Sequence, residues 1–239
     1  MMKGETISAV LPIRAGSQRV LNKNTRPFGP YPFGLTELKI KQLLRVKALD
    51  EIVVDTDVPE ITDILDRLKG AGEDVSSIRV ERRDPKFAES STSTDDLIKH
   101  IAPKIKTKNV VWTHTTQPFA DDNVLTKAIA FYFQYLEKGY DSLMSVTSLK
   151  TFIWDRTGPV NYSRDLEKWP RTQTLPEWYI VNSAVFITDI KRMKKTGDRI
   201  GQNPYFYVLD PMQGLDIDEE GDFKFAESII RIMANDAKL

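Results

Sequence analysis

Apolar and polar positions follow two different periods along this chain. Short apolar runs at 6–12, 51–55, 78–81, 109–113, 141–147 and 183–187 read as strands. Helical spacing covers 36–48, 59–69, 93–105 and 121–137 between them. The last of these has the clearest stripe, with Val124, Leu125, Ala128, Ile129, Tyr132, Phe133 and Leu136 on one face. Asp121 and Asp122 open it, where negative charge suits a helix N-terminus. Ser93-Thr94-Asp95-Asp96 gives the preceding helix a capping-box-like start. A final helical pattern groups Phe223, Ala226, Ile229, Ile230 and Met233. Strand–helix alternation of this length predicts βαβ units: an α/β fold, three layers α/β/α, with a mostly parallel, Rossmann-like sheet. Ligands of such sheets bind beyond the carboxyl ends of the strands. The loop after the first strand, Asp57 after the second and Thr115 to Pro118 after the fourth all fall on that edge.

Residues 148–181 break the alternation. They hold Trp154, Trp169 and Trp178, three prolines, Arg164 and Arg171, with little periodicity. A surface excursion is the plain reading, but three tryptophans are too much apolar surface for a solvated loop. The segment therefore reads as an insertion with its own role in a single domain spanning 1–239.

Composition narrows the function. Hydrophobic residues at 41% suffice for a core, and charged residues at 28% fit a globular chain. The 34 basic and 34 acidic residues cancel, which argues against the basic footprint of a nucleic-acid binder. Cysteine is absent, excluding disulfides, thiolate metal sites and thiol nucleophiles, and His100 and His114 alone cannot make a multi-histidine metal centre. No signal-peptide core or membrane-length apolar run is visible, so the expectation is no membrane and a cytoplasmic location.

Two segments carry chemistry. Ile13 to Asn24 follows the first strand and places Arg14, Arg19 and Lys23 beside Gly16, Ser17 and Gln18. Exposed backbone N–H groups and cationic heads of this kind suit polyphosphate, although a solvated basic turn is the plain alternative. The loop is neither a dinucleotide fingerprint, which disfavours an NAD-dependent oxidoreductase, nor a Walker loop. At the other end, Gly214 to Glu227 contains Asp216 and Asp218 in a run that reads as a short strand. Period-2 geometry puts both carboxylates on one face, a suitable pair for Mg²⁺. An acidic loop capping the last helix is the alternative. Together the two segments suggest a nucleoside triphosphate with Mg²⁺ between them.

The residues resemble the acylneuraminate cytidylyltransferases, also called CMP-sialic acid synthetases. Pro12-Ile13-Arg14-Ala15-Gly16-Ser17-Gln18-Arg19-Val20-Leu21-Asn22-Lys23-Asn24 is similar to their opening motif, Pro-Ala-Arg-Gly-Gly-Ser-Lys-Gly/Arg-Ile-Pro-x-Lys-Asn. Leu215 to Glu227 resembles the closing Ile-Asp-Ile-Asp-x-x-x-Asp-x-x-x-Ala-Glu. Between them, Ile52 to Asp57 looks like Val-Val-Ser-Thr-Asp. Arg83 to Ala88 with Ser90 to Asp95 looks like Arg-Pro-x-x-Leu-Ala and Ser-Ser. His114 to Phe119 sits where Gln-Pro-Thr-Ser-Pro-Leu is expected, and Arg171 to Pro176 and Asn182 to Phe186 look like Arg-x-Gln-x-Leu-Pro and Asn-Gly-Ala-x-Tyr. The order and spacing span nearly the whole chain.

The resemblance implies a nucleotidyltransferase fold and the activation of a 2-keto sugar acid with CTP, releasing pyrophosphate. It also implies a homodimer formed through 148–181. Arg14, Arg19 and Lys23 would neutralise the triphosphate, with Gly16, Ser17 and Gln18 beside it, and Asp216 and Asp218 would bind the metal. Asn24, Arg83, Thr94 and His114 would face the nucleotide. Arg171, Gln173 and Asn182 would face the sugar acid. Gln18 stands where sialic acid enzymes have lysine; Arg19 can supply the charge, as in the Ser-Lys-Arg-Ile of the pseudaminic acid enzymes and the Ser-Thr-Arg-Leu of the Kdo enzymes. His114 replaces a glutamine, and either touches ligand or is a strand-end histidine bonded to backbone. Ser183 replaces a glycine, which would narrow the sugar pocket. Kdo enzymes carry Gln-Gly-Asp-Glu-Pro at 114–119, so a nonulosonic acid is favoured, with Kdo or a nucleotide-binding homologue of little turnover as alternatives. His100 reads as a helix-surface or core-edge residue, and Asp57 as a helix N-cap before Pro59 rather than a phosphate-site residue.

Overall fold

The computed structural model describes residues 4–89 and 91–236; Ser90, in the segment 90–95, lies outside the described residues. Seven strands make one sheet: β1 (Ile7–Ile13), β2 (Glu51–Thr56), β3 (Ile78–Arg82), β4 (Asn109–Thr113), β5 (Ser142–Leu149), β6 (Trp178–Asp189) and β7 (Pro204–Leu209). Their order is β3-β2-β1-β4-β6-β5-β7. Neighbours are parallel except at β6, which is antiparallel to β4 and β5. The helices are α1 (Gly34–Leu44), α2 (Ile61–Gly70), α3 (Thr94–Ile101), α4 (Asp122–Leu136), α5 (Ile190–Thr196) and α6 (Glu220–Asp236). Among the described residues, no helix is long and apolar enough to cross a membrane.

The three layers follow from β1. Ile7, Ala9, Leu11 and Ile13 face a core shared with α1, α2 and α4, while Val10 faces the opposite core with α3 and α5. Alternate residues of a strand point to opposite faces, and here both faces are covered. That is why the strand is a continuous apolar run rather than an alternating one. Asp121 caps α4, accepting from the Val124 N–H at 2.9 Å, and Ser93 caps α3, accepting from the Asp96 N–H at 3.1 Å.

A third apolar cluster closes the site. Val20, Phe28, Leu35 and Leu38 from the first quarter of the chain pack on Ile217, Phe223, Ala226 and Ile230 from its end. The Phe28 and Phe223 rings meet edge-to-face with centroids 5.1 Å apart, and the Arg26 guanidinium lies 3.8 Å from the Phe223 ring centre. Arg26 also pairs through two hydrogen bonds with Glu220, and Glu227 accepts the Gly29 N–H at 3.1 Å.

Several expectations need correction. Residues 215–218 are not a strand: the segment has no sheet partner, and its backbone bonds run from the Leu215 N–H to the Met212 carbonyl at 3.1 Å and from the Ile217 N–H to the Thr116 carbonyl at 2.9 Å. Ser148 and Leu149 belong to β5, and Trp178 to Val181 to β6, so only 150–177 is irregular within 148–181. Asp57 does not cap α2; its Oδ1 accepts the Ala15 N–H at 2.8 Å and so fastens the basic loop. The reason for a glycine at position 183 is also backbone: Ser183 has φ +60, in the left-handed region beside a bulge opposite Met144 and Val146. A side chain there costs roughly 1–2 kcal/mol.

Helix α5 and strand β7 lie outside the elements expected from periodicity. Both carried signals: Asp189 accepts from the Lys191 and Arg192 N–H groups, Gly197 ends the helix at φ +68, and Tyr205 to Leu209 is rich in aromatic and β-branched residues.

Lys39 on α1 is fully buried, and its Nζ donates to the Gln117 and Ala120 carbonyls at 2.8 and 2.7 Å. Burial lowers its pKa to about 7, opposed only in part by Asp121. A neutral amine has two N–H donors for those two carbonyls. The unfolded chain keeps its lysine protonated to about pH 10, so between pH 7 and 10 the unfolded state binds the extra proton. Stability from this group therefore rises with pH, by up to about 1.4 kcal/mol per unit. Urea denaturation at pH 7, 8 and 9 should show this rise as a difference between the native chain and Lys39→Met; a constant difference would refute it.

Candidate active site

A cavity of about 310 Å³ opens at the carboxyl edge of the sheet, between the loop after β1 and the ends of β3 and β4. Arg14, Ser17, Gln18, Arg19, Lys23 and Asn24 line it from the loop, opposite Arg83 and His114. Two smaller cavities adjoin it. One, of about 180 Å³, lies against Gly16, and the other, of about 210 Å³, is bounded by Arg14, Arg83, Phe87 and Thr94.

The loop is shaped by its backbone and by buried polar anchors. Gly16 has φ +70 and nothing near its missing side chain, so conformation, not space, requires glycine. Val20 is buried in the third cluster. Asn24 donates through Nδ2 to the Arg14 carbonyl at 2.9 Å and accepts through Oδ1 from the Thr115 hydroxyl at 2.8 Å. Its amide thus ties the loop to the end of β4, a structural commitment that the nucleotide role did not anticipate.

Opposite charges meet on the other side of this loop. Arg19 pairs with Asp218 at 2.7 Å, with side chains 67% and 49% exposed. An ion pair so exposed is worth about 0–1 kcal/mol, so a ligand can replace it at little cost. Lys23 donates from Nζ to the Ile217 carbonyl, between the two aspartates. Its pKa is lowered by burial, against the raising effect of Asp216 and Asp218. Burial raises the Asp216 carboxyl, with Thr116 pulling it down and Asp218 pushing it up. Asp222 accepts the Asp218 and Glu219 N–H groups at 3.0 and 2.8 Å, which fixes the acidic turn at the start of α6.

These carboxylates fit a divalent cation. Asp216 Oδ1 is buried without a hydrogen-bond partner, and Asp218 is held only by an exposed guanidinium. Among the described residues no group of three or more metal-ligating side chains exists. Two carboxylates are what Mg²⁺ uses when phosphate oxygens and water complete its octahedron.

Arg83 is locked from behind. Its Nε donates to the buried Asp55 carboxylate at 2.6 Å and its NH2 to the Asp55 carbonyl at 2.9 Å. Lys104 and His100 approach the same carboxylate at 3.1 and 3.4 Å, so of the two places expected for His100, helix surface or core edge, it takes the core edge. His114 bonds neither to backbone nor solely to the cavity: its Nε2 lies 3.2 Å from NH1 of Arg199, a residue the sequence reading did not single out.

The sugar-acid residues are not brought in. Arg171 and Gln173 are exposed at the 3-10 turn Thr172–Thr174 and line none of these three cavities. Asn182 is buried on β6 and spends its amide inside the sheet, accepting from Ser145 Oγ at 2.6 Å and donating to Thr147 Oγ1 at 3.0 Å. These bonds fasten the bulge beside Ser183.

Over 231 residues the chain is 27% identical to the N-acylneuraminate cytidylyltransferase of Escherichia coli O18:K1:H7 (strain RS218 / NMEC), covering 93% of this chain and 52% of that protein. The chain thus spans about half the length of that relative. It is 23% identical to the post-translational flagellin modification protein B of Campylobacter coli, covering 91% of this chain and 92% of that one. The fold is that of the 4-diphosphocytidyl-2C-methyl-D-erythritol synthase of Anaerococcus prevotii DSM 20548 (TM-score 0.66, 16% identity, 96% and 98% coverage). It is also that of a CMP:2-keto-3-deoxy-manno-octonic acid synthetase solved with CTP (TM-score 0.62, 12% identity, 95% and 98% coverage). The cytidylyltransferase family model matches residues 8–176, and with a match of that extent the chain belongs to the cytidylyltransferase family.

Proposed function

We propose that this protein transfers a cytidylyl group from CTP to a 2-keto sugar acid of the nonulosonate type, releasing pyrophosphate. The observation that carries the reading is the meeting of Arg14, Arg19 and Lys23 with Asp216 and Asp218 on the carboxyl edge of the sheet. Family membership and the E. coli relative's name supply the cytidylyl group and the sugar-acid class. A nucleoside triphosphate substrate is in keeping with a cytoplasmic enzyme.

In this reading the sugar hydroxyl oxygen attacks the α-phosphorus, its proton is lost, and the bond to the pyrophosphate oxygen breaks. Positioning and charge stabilisation carry such reactions. Arg14, Arg19 and Lys23 hold the triphosphate oxygens, and release of Arg19 from Asp218 frees both for ligand. Asp216 and Asp218 would hold Mg²⁺, which when bound neutralises charge on the phosphate oxygens. Arg83 and Thr94 bound the side cavity for the base.

The sugar side is best supplied by a second copy of the chain. Trp178, Tyr179, Ile180 and Val181 of β6 are 40–51% exposed, and Phe206 and Val208 of the edge strand β7 are 39% and 51% exposed. The Tyr179 and Phe206 rings touch at 5.3 Å between centroids, so the patch is continuous across the strands. Exposed apolar patches of this kind are interfaces. Light scattering should give twice the chain mass, and Ile180→Glu with Val208→Glu should give the monomer; a monomeric native protein would remove this assembly.

Pyrophosphate release with CTP and a panel of nine-carbon and eight-carbon 2-keto acids tests the reaction and identifies the sugar. An eight-carbon product would favour the Kdo alternative. Binding of CTP without release from any acid would leave a nucleotide-binding homologue. Asp216→Asn and Asp218→Asn should keep the fold and lower turnover by about a hundredfold or more. Near-native rates in both would exclude them from the mechanism.

Gln18 lines the cavity without a charge, so Arg19→Ala should lower turnover more than Gln18→Ala. A charge-assisted hydrogen bond is roughly twice as strong as a neutral one. Gln18→Lys should tighten CTP binding without a matching gain in rate. Steady-state kinetics of the three variants decide this, and an inactive native chain made active by Gln18→Lys would favour the binding homologue.

A further inference from the structure

Arg199 is a half-buried cation that the proposed reaction does not use. It lies in the turn after α5, and its pKa is lowered by burial. Its guanidinium carbon is 4.0 Å from the centre of the Phe186 ring and 5.9 Å from that of Trp112. Among the described residues it makes no ion pair; Asp198 and Asp95 are the acidic groups that face it. Its NH1 reaches His114 Nε2 at 3.2 Å.

A guanidinium has donors only, so Nε2 must accept. The ring hydrogen then sits on Nδ1. The other charged groups facing the ring are Lys39 from α1 and Lys23 from the basic loop, both of the same sign as Arg199. Burial is the first cause and these cations the next in lowering the His114 pKa to about 3. His114 lines the main cavity, and among the described residues its Nδ1 makes no hydrogen bond.

We infer that Arg199 is a positioning residue for His114, fixing the imidazole as the Nδ1–H tautomer so that the cavity wall carries a neutral donor that selects an oxygen acceptor on a substrate. A glutamine, the residue the resembled family carries here, can turn over and present either a donor or an acceptor. An imidazole held by a cation can present only the donor. The inference rests on the cavity being the substrate site. The acceptor oxygen belongs either to the nucleotide or to the sugar acid, and binding measurements separate the two.

The chain has only two histidines, so ring ¹⁵N spectra of the full-length protein are readily assigned, the His114 signals being those lost in His114→Gln. The native protein should show the Nδ1–H tautomer and no protonation of His114 down to pH 5. Arg199→Met should release the tautomer and raise the titration, while Arg199→Lys, which keeps a cationic donor, should preserve both. An Nε2–H tautomer in the native protein, or unchanged spectra in Arg199→Met, overturns the pairing. These spectra need no turnover, so they stand apart from any failure of the cytidylyl reading. Calorimetry with CTP, and KM for N-acetylneuraminate, should then show a weakening of about tenfold for one of the two in both Arg199→Met and His114→Phe, which has no donor. Unchanged values for both ligands would refute selection by this donor.

Discussion

The site depends on the apolar contact that joins the two ends of the chain. Phe223, Ile217 and Ala226 bury themselves against Val20, Phe28 and Leu38, with Arg26 lying over the Phe223 ring and pairing with Glu220 at the rim. Burying one such large side chain is worth about 1.5–3 kcal/mol, whereas the exposed Arg19–Asp218 pair beside it contributes about 0–1 kcal/mol. The division of labour follows from those magnitudes. Hydrophobic packing brings the acidic turn to the basic loop, and the charges it brings there are left free to exchange partners when phosphate arrives.

Around that contact, buried polar groups fix the edges of the cavity, each through a partner distant in sequence. Asp57 holds the Ala15 N–H, Asn24 joins the loop to Thr115, and Asp55 keeps the Arg83 guanidinium from turning. Lys39 and Gln42 do the same for the turn after β4 by donating to the carbonyls of Gln117, Ala120 and Pro118. Such polar groups are costly to bury alone, and the bonds named here offset that cost, with Gln42 Oε1 left buried without a partner among the described residues. The cavity is therefore rigid in its walls and labile at its exposed ion pair.

Much of this was legible in the sequence because it depends on local pattern. The first strand before the basic loop and the α4 stripe need only periodicity and residue type. What was not legible depends on contacts across the sheet. Asp57 looks like a helix cap because Pro59 follows it, yet its carboxylate is taken by Ala15, a partner 42 residues away. The 215–218 run alternates like a strand, but no neighbouring strand is there to pair with it. Asn182 carries a family motif, yet its environment, not its identity, turns its amide into the sheet. Arg199 had no motif at all; only the folded chain places it behind His114.

Ser183 shows how motif and backbone are separable. A glycine in Asn-Gly-Ala reads as room for a ligand, but at φ +60 the demand is conformational. This chain meets it with serine and accepts the strain, because the flanking residues over-determine the bulge. The Asn182 amide is bonded to Ser145 and Thr147, the Ser145 hydroxyl is close to the Val185 N–H at 2.9 Å, and Ala184 and Val185 are fully buried. Several bonds of about 1 kcal/mol each outweigh roughly 1–2 kcal/mol of left-handed strain. Beyond the bulge β6 stays paired with β5 through the exposed Trp178–Val181 segment, so the strain lies beside the surface proposed to meet a second chain. Whatever it does to the pocket, the departure at Ser183 is set by how the sheet is bent there.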